Sequence, residues 1–463
     1  MLRDRYEADP KFWRLIEALA VQMEPELAEV SKLLEDDELY QLIRADLAQR
    51  FAQTEETGRN STPVEVVLRG LAVKRLYQWP YRETVWHMGA SLVLRWFCRL
   101  YFHPAPAHST LLRWANTIQP ATLEAFNNRV VELAQAAKVT RGRKVRTDGM
   151  VVESNIHYPT DSSLLTDGVR VLSRTLKRAQ TLVGEQVAGA KALFRDRTRS
   201  AHQYARQIGE ASRQRTHEAR ERLTQSYRRL LQITEASVRQ AKQTLEILRE
   251  AGAQQAARLA QTIETRLPRV EQVIDQTVRR LVDGERVPAS EKIVSLFAPH
   301  TDIIRRNKAH KPTEFGHKVW LDAVEGGIVT RWQVLDGNPD DAEPWQPALD
   351  YHLERFKKPL DLMSGDRGLY SPTNEAYAVN KGVKRVVLAK PGRKSHARTA
   401  HQRQGWFRRG RRWHAGVEGR ISVLDRKHGL DRCPDKGLDG FHRYVGWGCI
   451  ANNLTVIGRK LAA

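Results

Sequence analysis

The sequence predicts a mixed α/β protein with a helical N-terminal segment and a long helical insertion inside its sheet-forming part. Three observations carry this. Apolar residues recur at helical spacing within the first 140 positions, no glycine or proline interrupts Glu210 to Ala251, and short apolar runs bounded by glycine turns follow residue 300. The boundaries are 1–140 for the helical N-terminal domain, 141–165 for the first part of the sheet domain, 166–290 for the insertion and 291–463 for the rest of the sheet with C-terminal helices.

In the N-terminal part, helical spacing runs through Phe12 to Val21 and Val64 to Leu76. Ser61-Thr62-Pro63, Trp79-Pro80 and His103-Pro104-Ala105-Pro106 punctuate it. Thr62 to Gln119 reads as several short helices in a compact module of a shape compatible with DNA binding, with Trp79, Trp86, Trp96 and Trp114 as core aromatics. Val145 to Val152 reads as a buried strand. The insertion is rich in Ala, Gln, Arg, Leu and Glu, and must be long helix, a hairpin of two or three. Leu230, Leu231, Ile233, Val238, Leu245 and Ile247 give it a buried face of coiled-coil character. Residues 171–290 hold 23 Lys/Arg against 13 Asp/Glu, an excess of ten positive charges.

Strands return at Thr301 to Arg306, His317 to Val324 and Ile328 to Leu335, the last two flanking the hairpin turn Glu325-Gly326-Gly327. A helix over Ala342 to Phe356, a strand over Pro359 to Ser364, a helix over Pro372 to Asn380 and a strand over Val383 to Ala389 complete the alternation. A basic loop then leads to a helix opened by Glu418.

With 76 Lys+Arg against 54 Asp+Glu the formal charge is +22, and the 41% hydrophobic content suffices for a packed core. This is the balance of a folded protein with a polyanionic partner rather than of a disordered tail. Cys98, Cys433 and Cys449 form no C-x-x-C pair, so neither a disulfide framework nor a zinc site is expected, and a reducing cytoplasm fits. The N-terminal MLRDRYEADPKFW lacks an apolar signal region, and no run approaches the ~18 apolar residues of a membrane span.

Charge is concentrated late in the chain. From Ala376 to Val417 there is no Asp or Glu, and Arg393 to Arg412 carries eight Lys/Arg interleaved with Trp406 and Phe407. Such a segment is the electrostatic footprint of nucleic-acid binding, since each neutralised phosphate releases counterions. Asp148 in KVRTDGMVV and Asp366 in LDLMSGDRGLYS lie where strands run or end, the places from which an α/β sheet projects its chemistry. With Glu418 they would supply three hard oxygen ligands suited to Mg²⁺.

Four blocks, TDGMVVESNIHYPTDSSLL, PTEFGHKVWLD, SGDRGLYS and AGVEGRISVLDRKHGLDR, resemble in order the catalytic core of bacterial insertion-sequence transposases of the DDE class. The resemblance covers residues 60–165 and 290–455. It implies an RNase H-like mixed sheet with the helical insertion between its first two core strands. It also implies Asp148, Asp366 and Glu418 as catalytic and metal-binding residues, holding two Mg²⁺ ions, with Mn²⁺ as a substitute. The partner would be double-stranded DNA, both the element's terminal inverted repeats and target DNA, gripped by a homodimer at the bacterial nucleoid. Arg367, Arg408, Arg409, Arg411, Arg412, Arg420 and Lys427 are the expected DNA contacts, and His317 and Lys318 the expected supports of the acids. The third block departs from the family's usual pattern of a Tyr and an Arg before the Glu and a cation seven after it: here Arg411, His414 and Asp425 stand there. Asp425 keeps a second class open, a decayed or domesticated transposase that holds DNA without cutting it.

Overall fold

The computed structural model describes residues 1–184, 193–251, 253–305, 311–340 and 342–463. Among them are 17 α-helices and a mixed sheet of seven strands. The chain forms two compact units, Met1–Glu153 with His317–Ala463, and Ser154–Gly316.

The first unit opens with eight helices: α1 (Pro10–Ala18), α2 (Pro25–Leu33), α3 (Asp37–Ala48), α4 (Val64–Leu76), α5 (Tyr81–Ala90), α6 (Leu92–Phe97), α7 (His108–Thr117) and α8 (Pro120–Ala136). Strand β1 (Lys144–Ser154) follows. The α4 helix is buried from Val64 to Arg75, its charged Glu65, Arg69, Lys74 and Arg75 included. Its one mid-helix cation, Arg69, is fully buried and satisfied by Glu65 Oε1 at 3.2 Å, Ser31 Oγ at 3.0 Å and the Phe97 carbonyl at 3.2 Å. Trp114 is buried, but Trp86 is 65% exposed, so one of the four expected core tryptophans belongs to the surface. It lies on the outer side of α5, edge-on to His87.

The second unit holds α9 (Asp161–Val183), α10 (Thr198–Ala211), α11 (His217–Glu250) and α12 (Gln254–Leu281), followed by β2 (Asp302–Arg305) and the first residues of β3 (Thr313–Val324). Four described helices therefore replace the expected hairpin of two or three. They surround an apolar core of their own that includes Leu172, Leu230, Val238, Leu245, Ile263 and Val270. Ile233 and Ile247 only rim it. Gly168 lets α9 approach α12, since a Cβ there would stand 3.0 Å from Val270 Cγ1. Strand β2 pairs antiparallel with Thr313 to Gly316 of β3 and not with β1, while the Thr301 hydroxyl donates to Ser154 Oγ at 2.9 Å. The expected strand end at Arg306 lies outside the described residues.

The remaining elements of the first unit are β4 (Val329–Val334), α13 (Trp345–Phe356), β5 (Leu362–Gly365), α14 (Pro372–Asn380), β6 (Val386–Leu388), α15 (His396–Arg403), α16 (Gly405–His428), β7 (Arg432–Cys433) and α17 (Gly437–Ala462). Strand β3 pairs with β4 and β1, β1 with β5, and β5 with β6; β7 adds to β1. The β3–β4 pair is antiparallel, whereas β5 is parallel to both β1 and β6. One hydrophobic core joins the N-terminal helices, the sheet and α17.

The expected basic loop is helix. Ser395 caps α15 by accepting from the Arg398 amide, Gln404 breaks the chain, and α16 then runs 24 residues to Gly429 at φ 65°. Arginine is a good helix former, and the absence of acids does not change that. Glu418 accordingly sits within α16 rather than at its start.

Candidate active site

Parallel strands β1 and β5 pair Lys144 with Leu362, Val145 with Met363 and Arg146 with Ser364. Asp148 follows two residues after Arg146 on β1, and Asp366, two residues after Ser364, is the residue just after β5. Neighbouring strands lie about 4.8 Å apart, and residues opposite one another in a parallel pair point to the same face. Arg146 and Ser364 thus share one face of the sheet, and Asp148 points to the same side of β1 as Arg146. Asp148 is partly buried, and its Oδ1 accepts from the Gly149 amide at 2.7 Å; Asp366 is exposed.

Helix α16 covers that face. Gly410 lies against Val387 and Leu362, and a Cβ there would meet Val387 Cγ2 at 2.6 Å. One turn on, His414 Nδ1 stands 3.3 Å from Ser364 Oγ. Arg146 donates to the Trp413 carbonyl at 3.0 Å, lies 5.1 Å from the centre of the Trp413 ring, and occupies the space that a side chain at position 416 would need. Burial pushes the His414 pKa down to about 4, against the pull of Asp366 and with the repulsion of Arg146 and Arg411. The imidazole is therefore neutral near pH 7. The sequence alone does not single out Arg146 at this face, and its only mark on His414 is that it replaces a residue of the family pattern.

Glu418 is four residues past His414, hence on the same side of α16 and about 6 Å further along it. Its side chain is exposed. Among the described residues no three His, Cys, Asp or Glu side chains come together closely enough to hold a metal ion. Asp148, Asp366 and Glu418 are hard oxygen donors by type, with Glu418 on the covering helix.

The other expected residues divide by environment. Lys318 lies beside β1, where a Cβ on Gly149 would be 3.6 Å from its Cε, and its ammonium donates to the Pro339 carbonyl at 2.9 Å. His317 is buried edge-on to Phe441 of α17, 4.7 Å between centroids, a packing position. Arg367, Arg408, Arg409, Arg411 and Arg412 are exposed, and none forms an ion pair among the described residues. Arg420 is turned inward instead: its Nη1 donates to Asn452 Oδ1 at 2.7 Å, and its guanidinium fills the space left by the missing side chain of Gly327, which has φ 81°. It pins α16 to α17 and the β3–β4 turn. Lys427 is partly buried, and burial lowers its pKa.

Comparison with known proteins adds one finding. Residues 17–117, from the end of α1 through α7, match the family model described as Transposase domain (DUF772), and this match supports a transposase family. Neither a curated protein nor a solved structure matches the chain. Among the described residues no helix is long and apolar enough to cross a membrane.

Proposed function

We propose that this protein is a DNA transposase with an RNase H-like catalytic core, which cuts the ends of its element and joins them to target DNA. The observation that carries the reading is the parallel pairing of β1, which carries Asp148, with β5, which Asp366 directly follows, packed against a helix that carries a third acid and a row of exposed arginines. The transposase-domain match in the N-terminal helices supports it independently.

In this reading Asp148 and Asp366 would hold divalent metal, Mg²⁺ or Mn²⁺, with Glu418 as the third ligand. Bound metal would supply Lewis-acid stabilisation of the pentacoordinate phosphate and a lowered pKa for the attacking hydroxyl. Cleavage adds water to phosphorus and releases a 3′-hydroxyl. In transfer that hydroxyl attacks a target phosphate, and a target 3′-oxygen departs. Neutral His414 adds no positive charge beside Asp366, leaving its carboxylate available to metal, while Arg146 braces the helix from the sheet. Arg408, Arg409, Arg411 and Arg412 steady the DNA backbone and carry no sequence information. Terminal inverted repeats would be the bound DNA, and a homodimer the bound form.

A second reading, a protein that retains DNA binding without cleavage, is favoured by one observation: the three acids do not converge. Nicking of supercoiled plasmid in Mg²⁺ or Mn²⁺ separates the two. The wild type should nick, and Asp148→Asn or Asp366→Asn should abolish nicking while leaving DNA affinity unchanged or slightly raised, because a carboxylate no longer repels phosphate. A wild type that binds DNA but never nicks would sink the first reading in favour of the second.

A further inference from the structure

Away from the acids, the first unit contains a cleft of about 940 Å³ between the irregular segment after α3 and the first turns of α7. Its side chains include Arg50, Arg59, Arg113, Phe51, Thr110 and Trp114, and no carboxylate lines it. The nearest acids in sequence are accounted for: Glu55 pairs with Arg44 at 2.8 Å, and Glu56 is exposed outside the lining. None of the three arginines makes an ion pair among the described residues. Arg50 lies over two rings instead, 4.7 Å from the Trp114 centroid and 4.9 Å from that of Phe51. Trp114 is 3% exposed and Phe51 63% exposed, so the guanidinium is held by one buried and one open ring. Arg113 is braced by its own helix, donating to the Ser109 carbonyl and Thr110 Oγ1, each at 3.2 Å. Two cations are thus fixed in place without being neutralised.

We infer that this cleft is a second DNA-binding site, a seat for the phosphate backbone of duplex DNA. The inference rests on the transposase reading for its ligand but not on the acids. Guanidinium groups held by stacking or by neutral acceptors keep their charge and their donors for phosphate oxygens, and the hydroxyls of Thr54 and Thr110 add further donors. An acidic peptide would satisfy the same charge. A duplex is favoured because α7, which forms one wall, has no acid anywhere and turns His108, Ser109, Leu112 and Asn116 outward beside the cleft. Cleft-bound backbone would lie next to that helix face.

The test is the salt dependence of affinity for a short duplex of arbitrary sequence. Arg50→Gln, Arg59→Gln and Arg113→Gln together should flatten the slope of log affinity against log salt by roughly 0.9 for each phosphate no longer neutralised, up to about 2.7. The corresponding three Arg→Lys changes should restore the slope, because charge alone suffices for counterion release. An unchanged slope in the folded Gln variant overturns the inference, as does a slope that stays low with Lys, which would assign the loss to packing. Plasmid nicking by the wild type keeps the two claims apart. Nicking with an unchanged slope removes this site and leaves the transposase reading; a flattened slope without nicking does the reverse.

Discussion

His414 and His428 both lie on α16, and burial is the main reason that their pKa values fall, to about 4 and about 3. Around His428 the cations Arg75, Lys427, Arg420 and Arg459 push in the same direction, and neither ring nitrogen has a hydrogen-bond partner among the described residues. Below the ordinary histidine value of 6.5 the unfolded chain therefore binds more protons than the folded one, so stability rises with pH across this window. It is complete above about 6.5 and is lost as pH falls to about 4 for His414 and about 3 for His428. The urea midpoint should drop over that range, by on the order of a few kcal/mol in stability for the two groups combined. His428→Leu should flatten the acid limb without lowering the midpoint at pH 7, since Leu has no nitrogens to leave unpaired; a limb equally steep in this variant would refute the assignment. At this scale the place of Asp366 just after a strand is legible, because an Asp between glycines after an apolar run marks a strand end, whereas Asp148 lies in the middle of β1. Arg420 is not. Its inward turn depends on Gly327 and Asn452, both far away in sequence, and no local pattern announces such a fit.

Helix α16 carries Glu418 and His414, and its seat on the sheet is set by Gly410. Adding a methyl group there forces it within 2.6 Å of Val387 Cγ2, and the neighbours Leu362 and Phe407 leave it nowhere to go. Gly410→Ala should cost about 1–3 kcal/mol by overpacking. Because the helix must lift or tilt, plasmid nicking should fall further than DNA affinity, and equal losses in both would mean that α16 does not position Glu418. The basic stretch reads as loop in the sequence because charge hides a second pattern. Phe407, Gly410, Val417 and Leu424, all buried, repeat at intervals of three and seven, the spacing of one helix face. In contrast, Pro372–Asn380 is readable to the residue, since serine capping, proline at the first helical position and alternation with strands all agree there. Strand ends shift by one to four residues; Thr313 to Gly316 extend β3 because β2 gives them a partner, which no single strand reveals.

For the whole molecule, the decisive interaction is small: the Thr301 hydroxyl on Ser154 Oγ. The chain leaves the end of β1 and returns to the same point, so residues 156–299 can be replaced by a short Gly/Ser bridge without stretching the backbone. The shortened protein should unfold cooperatively in urea and retain its near-ultraviolet dichroism, while a protein with no unfolding transition would show that the insertion is part of the fold's stability. That an insertion exists is legible from its composition. That its helices enclose an independent core is not, because which faces meet is decided by close approaches such as Gly168 on Val270.

The same excursion governs the order in which the protein can be made. Every sheet partner of β1, namely β3, β5 and β7, is encoded after the insertion, and Arg143 meets Asp361 across 218 residues. The insertion's helices pair among themselves and can form as soon as they emerge. At translation rates of about 5–20 residues per second, the strand carrying Asp148 waits roughly 10–30 s on the ribosome with both edges unpaired. An open strand is a template for the wrong partner, so during this interval a nascent chain is exposed to aggregation and to chaperone capture in a way the finished sheet is not.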